Sequence, residues 1–259
     1  HAEGPDAEQF AAFGYPLVQK ARRGGYDGKG VKVLAGGMDF KEALATDSII
    51  EEKVDIAAEL AVIIARGQNG DVRSYPVVEM LFDNEANILD LLLTPARISP
   101  ELTVSAQNLA ARTVEALQGV GVYGVEMFLT SEGDLLINEV SPRPHNSGHY
   151  TIEACMTSQY GQHLRAICGL PLGSPELLCP AVMVNLLGSP GASGRPVVKN
   201  LHKVLEMPGV TVHIYGKTHV SPGRKMGHVI ILDQNINLAL DKANTIKTLL
   251  EISGEDSND

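Results

Sequence analysis

The amino-acid sequence predicts an α+β fold, and three observations carry that expectation. Residues 49–93 read as short apolar strands broken by turn dipeptides, a meander of antiparallel strands. Ser99–Leu117 and Ile236–Ile252 read as amphipathic helices outside that run. Strands gathered in one stretch with helices beside them are the α+β pattern. Between them, Tyr123–His149 reads as a hairpin that runs into a polar loop, and the chain is organised around it.

Pro5–Phe13 is expected as a short helix, because Pro5 suits a first helical position and Gly14 and Pro16 end it. Leu17–Lys20 and Val31–Leu34 are expected as strands on either side of the loop Arg22–Gly30. That loop is either a flexible hairpin turn or a phosphate cradle, in which glycines let backbone N–H groups approach an anion. Lys20, Arg22, Arg23 and Lys29 favour phosphate. It is not a Walker loop, since no Lys-Ser or Lys-Thr follows the glycines and no helix opens after them. It is not a GxGxxG fingerprint, since Val33 stands where the third glycine would be.

Asp39–Ala45 is expected as a short helix and Ile49–Val54 as a strand end. Asp55–Ala65, Val72–Met80 and Asn87–Leu93 follow as strands, with Asn69–Gly70 as a hairpin dipeptide. Glu59 interrupts the apolar run Ala57–Ile64, and its position alone favours the solvated face. Ser99 caps the next helix, Pro100 and Glu101 open it, and Gly119 and Gly121 lie beyond its end near Leu117. Thr151–Ile167 is expected as one helix stopped by Gly169 and Pro171, with Ile152, Cys155, Tyr160, Leu164 and Ile167 on its buried face. Ala181–Leu187 reads as a strand and Val197–Glu206 as a helix. Val210–Tyr215 and His228–Leu232 read as strands flanking the basic loop Gly216–Lys225. Ser253–Asp259 is polar and acidic, as a linker or frayed tail is.

In the hairpin, the apolar runs Tyr123–Leu129 and Leu135–Val140 flank Ser131–Asp134. A four-residue turn pairs Thr130 with Leu135, and counting back sets Glu126 opposite Glu139. Facing carboxylates repel. A cation between them relieves the repulsion, and hard oxygen ligands suit Mg²⁺. Asn138 adds a neutral oxygen. The other reading is a hairpin with one exposed Glu and a polar loop; register, amide and basic loop together favour the metal. His145 between Arg143 and Asn146 reads as part of an oxyanion-handling loop. His145 and His149 do not make a zinc helix, because no Glu follows His145 and Gly148 interrupts. Lys217, Arg224 and Lys225 mark the loop Gly216–Lys225 as either a solvated hairpin tip or a phosphate clamp.

With 259 residues and 44% hydrophobic content, the chain can bury a sizeable core. Its net charge of −10 argues against nucleic acid as a partner. No apolar run approaches a membrane span and the first residues are unlike a signal peptide, so a cytoplasmic protein without a membrane partner is expected. Cys155, Cys168 and Cys179 form no CxxC pair and are expected as reduced, buried small hydrophobes. His1 is not an initiator Met, so an earlier part of a longer protein is expected before it.

Gly24–Gly30 (GGYDGKG), Asn138–Thr151 (NEVSPRPHNSGHYT) and Gly216–His228 (GKTHVSPGRKMGH) resemble N5-carboxyaminoimidazole ribonucleotide synthetases, ATP-grasp enzymes of purine biosynthesis. YPVVEM, DLLLTPAR and GVEMF resemble more closely the synthetase part of the fungal bifunctional phosphoribosylaminoimidazole carboxylases. The resemblance runs from about Gly14 to Leu232. It implies an ATP-grasp fold, with two α+β lobes holding ATP. Residues 1–180 would form that domain, with 14–82 as its smaller lobe, residues 181–252 a small C-terminal subdomain, and 253–259 a linker. The family's N-terminal Rossmann-like domain would be missing from this chain, and a carboxylase domain would be fused beyond it in the fungal case.

The implied activity is ATP-dependent carboxylation of 5-aminoimidazole ribonucleotide with bicarbonate, through carboxyphosphate. ATP and Mg²⁺ are the implied cofactors, bicarbonate and the ribonucleotide the small-molecule substrates, and a homodimer the implied assembly. Position by position, the resemblance gives Lys20 to the ATP phosphates and Gly25, Tyr26, Asp27, Gly28, Lys29, Gly30 and Val31 to the loop covering them. It gives Glu51, Glu52, Lys53 and Val54 to adenine. Glu59 would hold the ribose hydroxyls, against the solvated reading above. Glu126 and Glu139 would be the Mg²⁺ ligands, with Asn138 beside them. Arg143, His145 and Asn146 would lie near bicarbonate and carboxyphosphate, and Lys217 and Arg224 would clamp the ribonucleotide phosphate. Phe82 departs from the family, whose bacterial members have His there. Other ATP-grasp ligases, such as a formate-using transformylase or a biotin-dependent carboxylase subunit, lack the Pro-Arg-Pro-His-Asn-Ser-Gly-His run. A non-catalytic nucleotide-binding or dimerising module is the alternative from another class.

Overall fold

The computed structural model describes residues 7–24, 30–83 and 88–255. The chain divides into two compact units, the first reaching to Ile56 and including Asp83–Ile88, the second made of Ala57–Phe82 and the chain from Leu89 onward.

The first unit contains α1 (Ala7–Phe13), β1 (Leu17–Ala21), β2 (Val31–Leu34), a 3₁₀ turn at Gly37–Glu42 and β3 (Ser48–Glu52). Gly14 takes a positive φ of 101° directly after α1, as the stop signal there requires. The three strands form an antiparallel sheet in the order β2-β1-β3. Phe10, Leu17 and Leu34 make its small core. The helix expected at Asp39–Ala45 is instead the 3₁₀ turn, where Asp39 accepts hydrogen bonds from the backbone of Ala35 and Gly36. An Asp that captures nearby amides favours such a turn over a helix. Pro5 lies outside the described residues, as do Gly25, Tyr26, Asp27, Gly28 and Lys29.

The second unit is built on a nine-stranded sheet. Its first strands are β4 (Ile56–Arg66), β5 (Val72–Ser74), β6 (Val78–Asp83) and β7 (Ile88–Thr94). After α2 (Pro100–Leu117) come β8 (Gly121–Thr130) and β9 (Leu135–Ser141). Then follow α3 (Thr151–Ala154), α4 (Gln159–Ile167), β10 (Ala181–Leu187), β11 (Pro196–Lys199), α5 (Leu201–Leu205), β12 (Val210–Ile214), β13 (Lys225–Leu232), α6 (Ile236–Leu249) and β14 (Glu251–Gly254). The sheet order is β12-β13-β10-β7-β6-β4-β8-β9, with β5 beside β4, and β11 pairs with β14 separately.

Four expected elements change. Val72–Met80 is two strands, because Pro76 carries no amide for the ladder. Thr151–Ile167 is two helices: Cys155 bridges to Leu177 and Ser158 caps a fresh start. A restarted helix loses phase with the first, so the apolar residues no longer share a face. Ile152, Tyr160, Leu164 and Ile167 are therefore exposed, and only Cys155 of the expected set is buried. Gln159, Gln162 and Ala166 take the inner positions. The helix expected at Val197–Glu206 begins as strand β11, as the β-branched Val197 and Val198 prefer, and Asn200 in a left-handed conformation separates it from α5. The supposed tail contributes Ser253 and Gly254 to β14, and the final helix stops at Leu249. Cys168 is exposed and Cys179 half-buried, so only Cys155 behaves as a buried hydrophobe; none is in a disulfide.

Alternation along the strands places the two faces of the sheet. On β4, Leu60, Val62 and Ile64 pack with Ala106, Ala110 and Val114 of α2, while Ala61, Ile63 and Ala65 join Tyr150 and Ala154 on the opposite side. Glu59 belongs to the second set by its parity. On β8, Tyr123, Val125 and Met127 face α2. Glu126 therefore points away from it. On β9, Leu135 and Ile137 pack in the α2 cluster, but so does Val140. The phase changes because the ladder carries a bulge: Met127 pairs with Ile137 whereas Glu126 pairs with Glu139, leaving Asn138 as the extra residue. The turn is one residue longer than expected, with Leu129 rather than Thr130 opposite Leu135. Thr130 N–H donates to Asp134 O across it at 2.9 Å. The bulge offsets that extra residue and restores Glu126 to Glu139.

A regular ladder continued from Leu129 and Leu135 would set Glu126 opposite Asn138 and turn Glu139 to the α2 face; the extra residue prevents that. Deleting Asn138 removes the extra residue without changing the parity of Glu139, so Mn²⁺ affinity, measured by calorimetry, should stay within about threefold of the parent, as it should in Asn138→Ala. A loss of about tenfold or more in the deletion would contradict the pairing read from the bulge.

Candidate active site

Glu126, Glu139 and His145 each bring a ligand atom within 4.8 Å of the others. Strand β8 supplies Glu126 and β9 supplies Glu139. The loop after β9 folds back and lays His145 over β8. Gly124 makes room for it: a Cβ there would meet His145 Cγ at 2.6 Å. Glu126 is largely buried and Glu139 exposed. Burial, then the neighbouring charges of Glu139 and Glu59, push the Glu126 carboxyl up to about 7, with Lys225 and Arg143 opposing. Burial also raises Glu59, which is half-buried on the same face and not solvated as its position in sequence suggested.

His145 is held from three sides. The fully buried Gln159 clamps its backbone, accepting from His145 N–H at 2.8 Å and donating to His145 O at 2.8 Å. Ser147 N–H donates to His145 Nδ1 at 3.3 Å, with Ser147 Oγ 2.8 Å from the same nitrogen. A neutral ring with Nδ1 accepting carries its proton on Nε2. Nε2 lies 3.3 Å from Glu126 Oε1, so it donates to that carboxylate. Asn146 exchanges two hydrogen bonds with Asn185 of β10. Arg143 is exposed, with its guanidinium on the carbonyl of Pro144.

In the first unit, Lys20 on β1 forms an ion pair with Glu51 of β3 at 2.7 Å. Glu52 and Lys53 are exposed and Val54 half-buried. Gly30 has a φ of 86° and precedes the exposed Val31. In the C-terminal part, Lys217 and Arg224 hold the two ends of one turn. Lys217 Nζ donates to Lys225 O at 2.6 Å and Arg224 Nη1 to His219 O at 2.7 Å. A cavity of about 450 Å³ is lined by Arg195, Val198, Lys217, Thr218 and Met226 among others, but not by Arg224. Phe82 packs against the cluster around Ile63 and Met80, so this position serves the apolar core.

One residue that sequence reasoning assigned to the basic loop, Lys225, and one that it passed over, Gln159, belong here. Lys225 lies on β13, not in the loop, and its charge is felt at Glu126. Gln159 sits where the helix was expected to be apolar; a polar residue on an inner face was its only signal.

The donor set fits Mg²⁺. Two carboxylates face each other, one raised by burial first and by the neighbouring charges second, and a divalent cation relieves the repulsion with oxygen ligands. Such a pair on an antiparallel hairpin, with a basic loop beyond it, could hold a divalent cation with an anionic ligand beside it. A profile of the ATP-grasp domain matches residues 5–160, and the chain belongs to the ATP-grasp family. Residues 181–242 match the phosphoribosylaminoimidazole carboxylase C-terminal domain.

The more specific likeness is to N5-carboxyaminoimidazole ribonucleotide synthases. The Bacillus subtilis synthase is 43% identical over 224 residues, 85% of this chain and 57% of the relative. The phosphoribosylaminoimidazole carboxylase of Ogataea methanolica is 42% identical over 240 residues, 88% of this chain and 43% of the relative. The solved Thermotoga maritima synthetase superposes with a TM-score of 0.88 at 47% identity, covering 96% of this chain and 66% of that one. The Aspergillus clavatus synthase, solved with ADP and 5-aminoimidazole ribonucleotide, gives 0.82 at 35% identity, with 93% and 64% covered. The chain spans about half the length of the curated relatives it matches. Among the described residues, no helix is long and apolar enough to cross a membrane.

Metal binding must displace the Glu126 proton, and the protonated form dominates below about pH 7. Mn²⁺ affinity by calorimetry should therefore weaken about tenfold from pH 8 to pH 6, with proton release visible as a buffer-dependent heat. A flat profile over that range would contradict the pairing.

Proposed function

We propose that this chain carries the ATP-grasp and C-terminal parts of an enzyme that carboxylates 5-aminoimidazole ribonucleotide with bicarbonate at the expense of ATP. Residues 1–180 would form the first part and residues 181–252 the second; the smaller lobe expected over 14–82 is cut back, since Ala57–Phe82 belong to the unit of the nine-stranded sheet, and Ser253 and Gly254 belong to β14 and not to a linker. The single observation that carries the reading is the facing Glu126–Glu139 pair with His145 donating to it. The identities to the synthases and the solved complex with ADP and the ribonucleotide support the choice of substrates.

Glu126 and Glu139 would hold Mg²⁺, with Asn138 beside them; bound there, the ion neutralises phosphate oxygens during transfer. Lys20 and the loop Gly25–Val31 would bind the ATP phosphates. Glu51–Val54 would meet adenine, and Glu59 the ribose hydroxyls. Bicarbonate oxygen attacks the γ-phosphorus, the bond to ADP breaks, and carboxyphosphate results. The amine of the ribonucleotide then attacks the carboxyl carbon and phosphate leaves. Arg143, exposed and cationic, would bind the carboxyphosphate oxyanions, with Asn146 beside it. His145, fixed against Glu126, would hold its proton at Nε2 and present no free base to water. Lys217 and Arg224 would bind the ribonucleotide phosphate from one turn. A homodimer, a cytoplasmic setting and fusion to further domains, as the length of the Ogataea relative suggests, complete the proposal.

The test is ADP release by the full-length protein with ATP, bicarbonate and the ribonucleotide. The wild type should turn over only when all three are present, and Glu126→Ala should fall to background. Near-normal ADP release by Glu126→Ala would refute the metal assignment.

A further inference from the structure

One segment, from Asn146 to Glu153, sets three polar side chains against three neighbouring strands. Asn146 and Asn185 of β10 exchange hydrogen bonds of 3.0 and 3.1 Å. The ring of His149 stacks on His228 of β13, with centroids 4.5 Å apart and planes 14° apart. Glu153 Oε1 lies 2.7 Å from Nε2 of His213 on β12. The three sheet residues form one row: Asn185 stands opposite His228, and His228 opposite His213. His213 also stacks on His228, with centroids 4.5 Å apart. Tyr215 Oη and Tyr160 Oη close the edges, 2.9 Å from His228 Nδ1 and 3.0 Å from His149 Nδ1.

Such a row discriminates between positions in a way an apolar contact cannot. Asn185 and His228 are almost wholly buried, at 6% and 2% exposure. A buried amide that loses its partner keeps the full desolvation cost. Sliding the segment by one residue would break the Asn146–Asn185 and Glu153–His213 hydrogen bonds and the His149–His228 stack at once. The segment also contains Asn146, the residue next to His145. We propose that Asn185, His228 and His213 are positioning residues: they seat Asn146, His149 and Glu153 from the sheet and thereby fix His145 at Glu126.

The kinetic part of the test rests on the reaction proposed above; the spectroscopic part does not. In the full-length protein, Glu153→Leu, Glu153→Gln and His213→Leu would be compared, His213 being only half-buried and so a mild site for substitution. The ring ¹⁵N signals of His145, assigned by comparison with His145→Gln, report its tautomer and its bond to Glu126. They should change in Glu153→Leu and His213→Leu, neither of which can make the hydrogen bond, and return towards wild type in Glu153→Gln, which keeps the acceptor. In parallel, kcat for ADP release should fall about tenfold to a hundredfold in the two disruptive variants. KM for ATP should stay within about twofold and the thermal midpoint should be retained. Unchanged His145 signals in both disruptive variants overturn the proposal. So does a fall in kcat that only follows loss of thermal stability, or that Glu153→Gln shares. If the wild type releases no ADP, the reaction assignment fails, and the ring signals still decide the positioning role.

Discussion

The structure depends on one unfavourable contact held in place: the facing carboxylates of Glu126 and Glu139. At about 4 Å and an effective dielectric near 20, two such charges repel by about 4 kcal/mol. Nothing local would keep them together. The flanking residues do, because Val125, Met127, Ile137 and Val140 are packed with α2 and cannot turn without opening that core. Burial first, and this repulsion second, are expressed as a carboxyl that keeps its proton up to about pH 7. A buried carboxyl facing a second one is a place where a cation could replace the proton without rebuilding the strands, since the geometry is already fixed by the packing beneath it.

The same principle governs the loop beyond β9. Its histidine is fixed by matched polar contacts instead of packing alone. Gln159 reads both backbone groups of His145, as a neighbouring strand would, and Gly124 leaves the space beneath the ring. These groups are buried, so each has few alternative partners. Arg143, by contrast, is left exposed at the rim. The chain thus sets a fixed, buried histidine close to an exposed arginine whose guanidinium rests on the carbonyl of Pro144.

The C-terminal part is a continuation of the central sheet, not an appendage. Strand β10 pairs with β7 on one side and β13 on the other. Its side chains alternate between two cores, with Val182 and Val184 under Ala239, Ala243 and Ile246 of α6, and Ala181 and Met183 in the cluster that contains Tyr150. The segment after His145 therefore rests on strands that follow it by 40 to 80 positions in the chain, from Asn185 to His228. Residues matched by two separate family profiles share one sheet and one polar row.

The sequence by itself determined the hairpin, the α2 helix with its Ser99 cap, the strand β4 and the identity of the facing acids. Each is written in local chemistry: a turn of small polar residues, an oxygen that caps free amides, an apolar run closed by a turn dipeptide. It reached the Glu126–Glu139 pair through a register that was off by one at the turn, and the bulge at Asn138 made the pairing true. Only the tertiary structure decided that bulge, the break of the helix at Cys155, the strand made by Val197–Lys199 with residues near the C-terminus, and the row from Asn185 to His213. A bulge answers to the packing of α2 on the far side of the sheet, and a cross-strand row to residues far away in the chain. Neither leaves a period or a spacing in the sequence to be read.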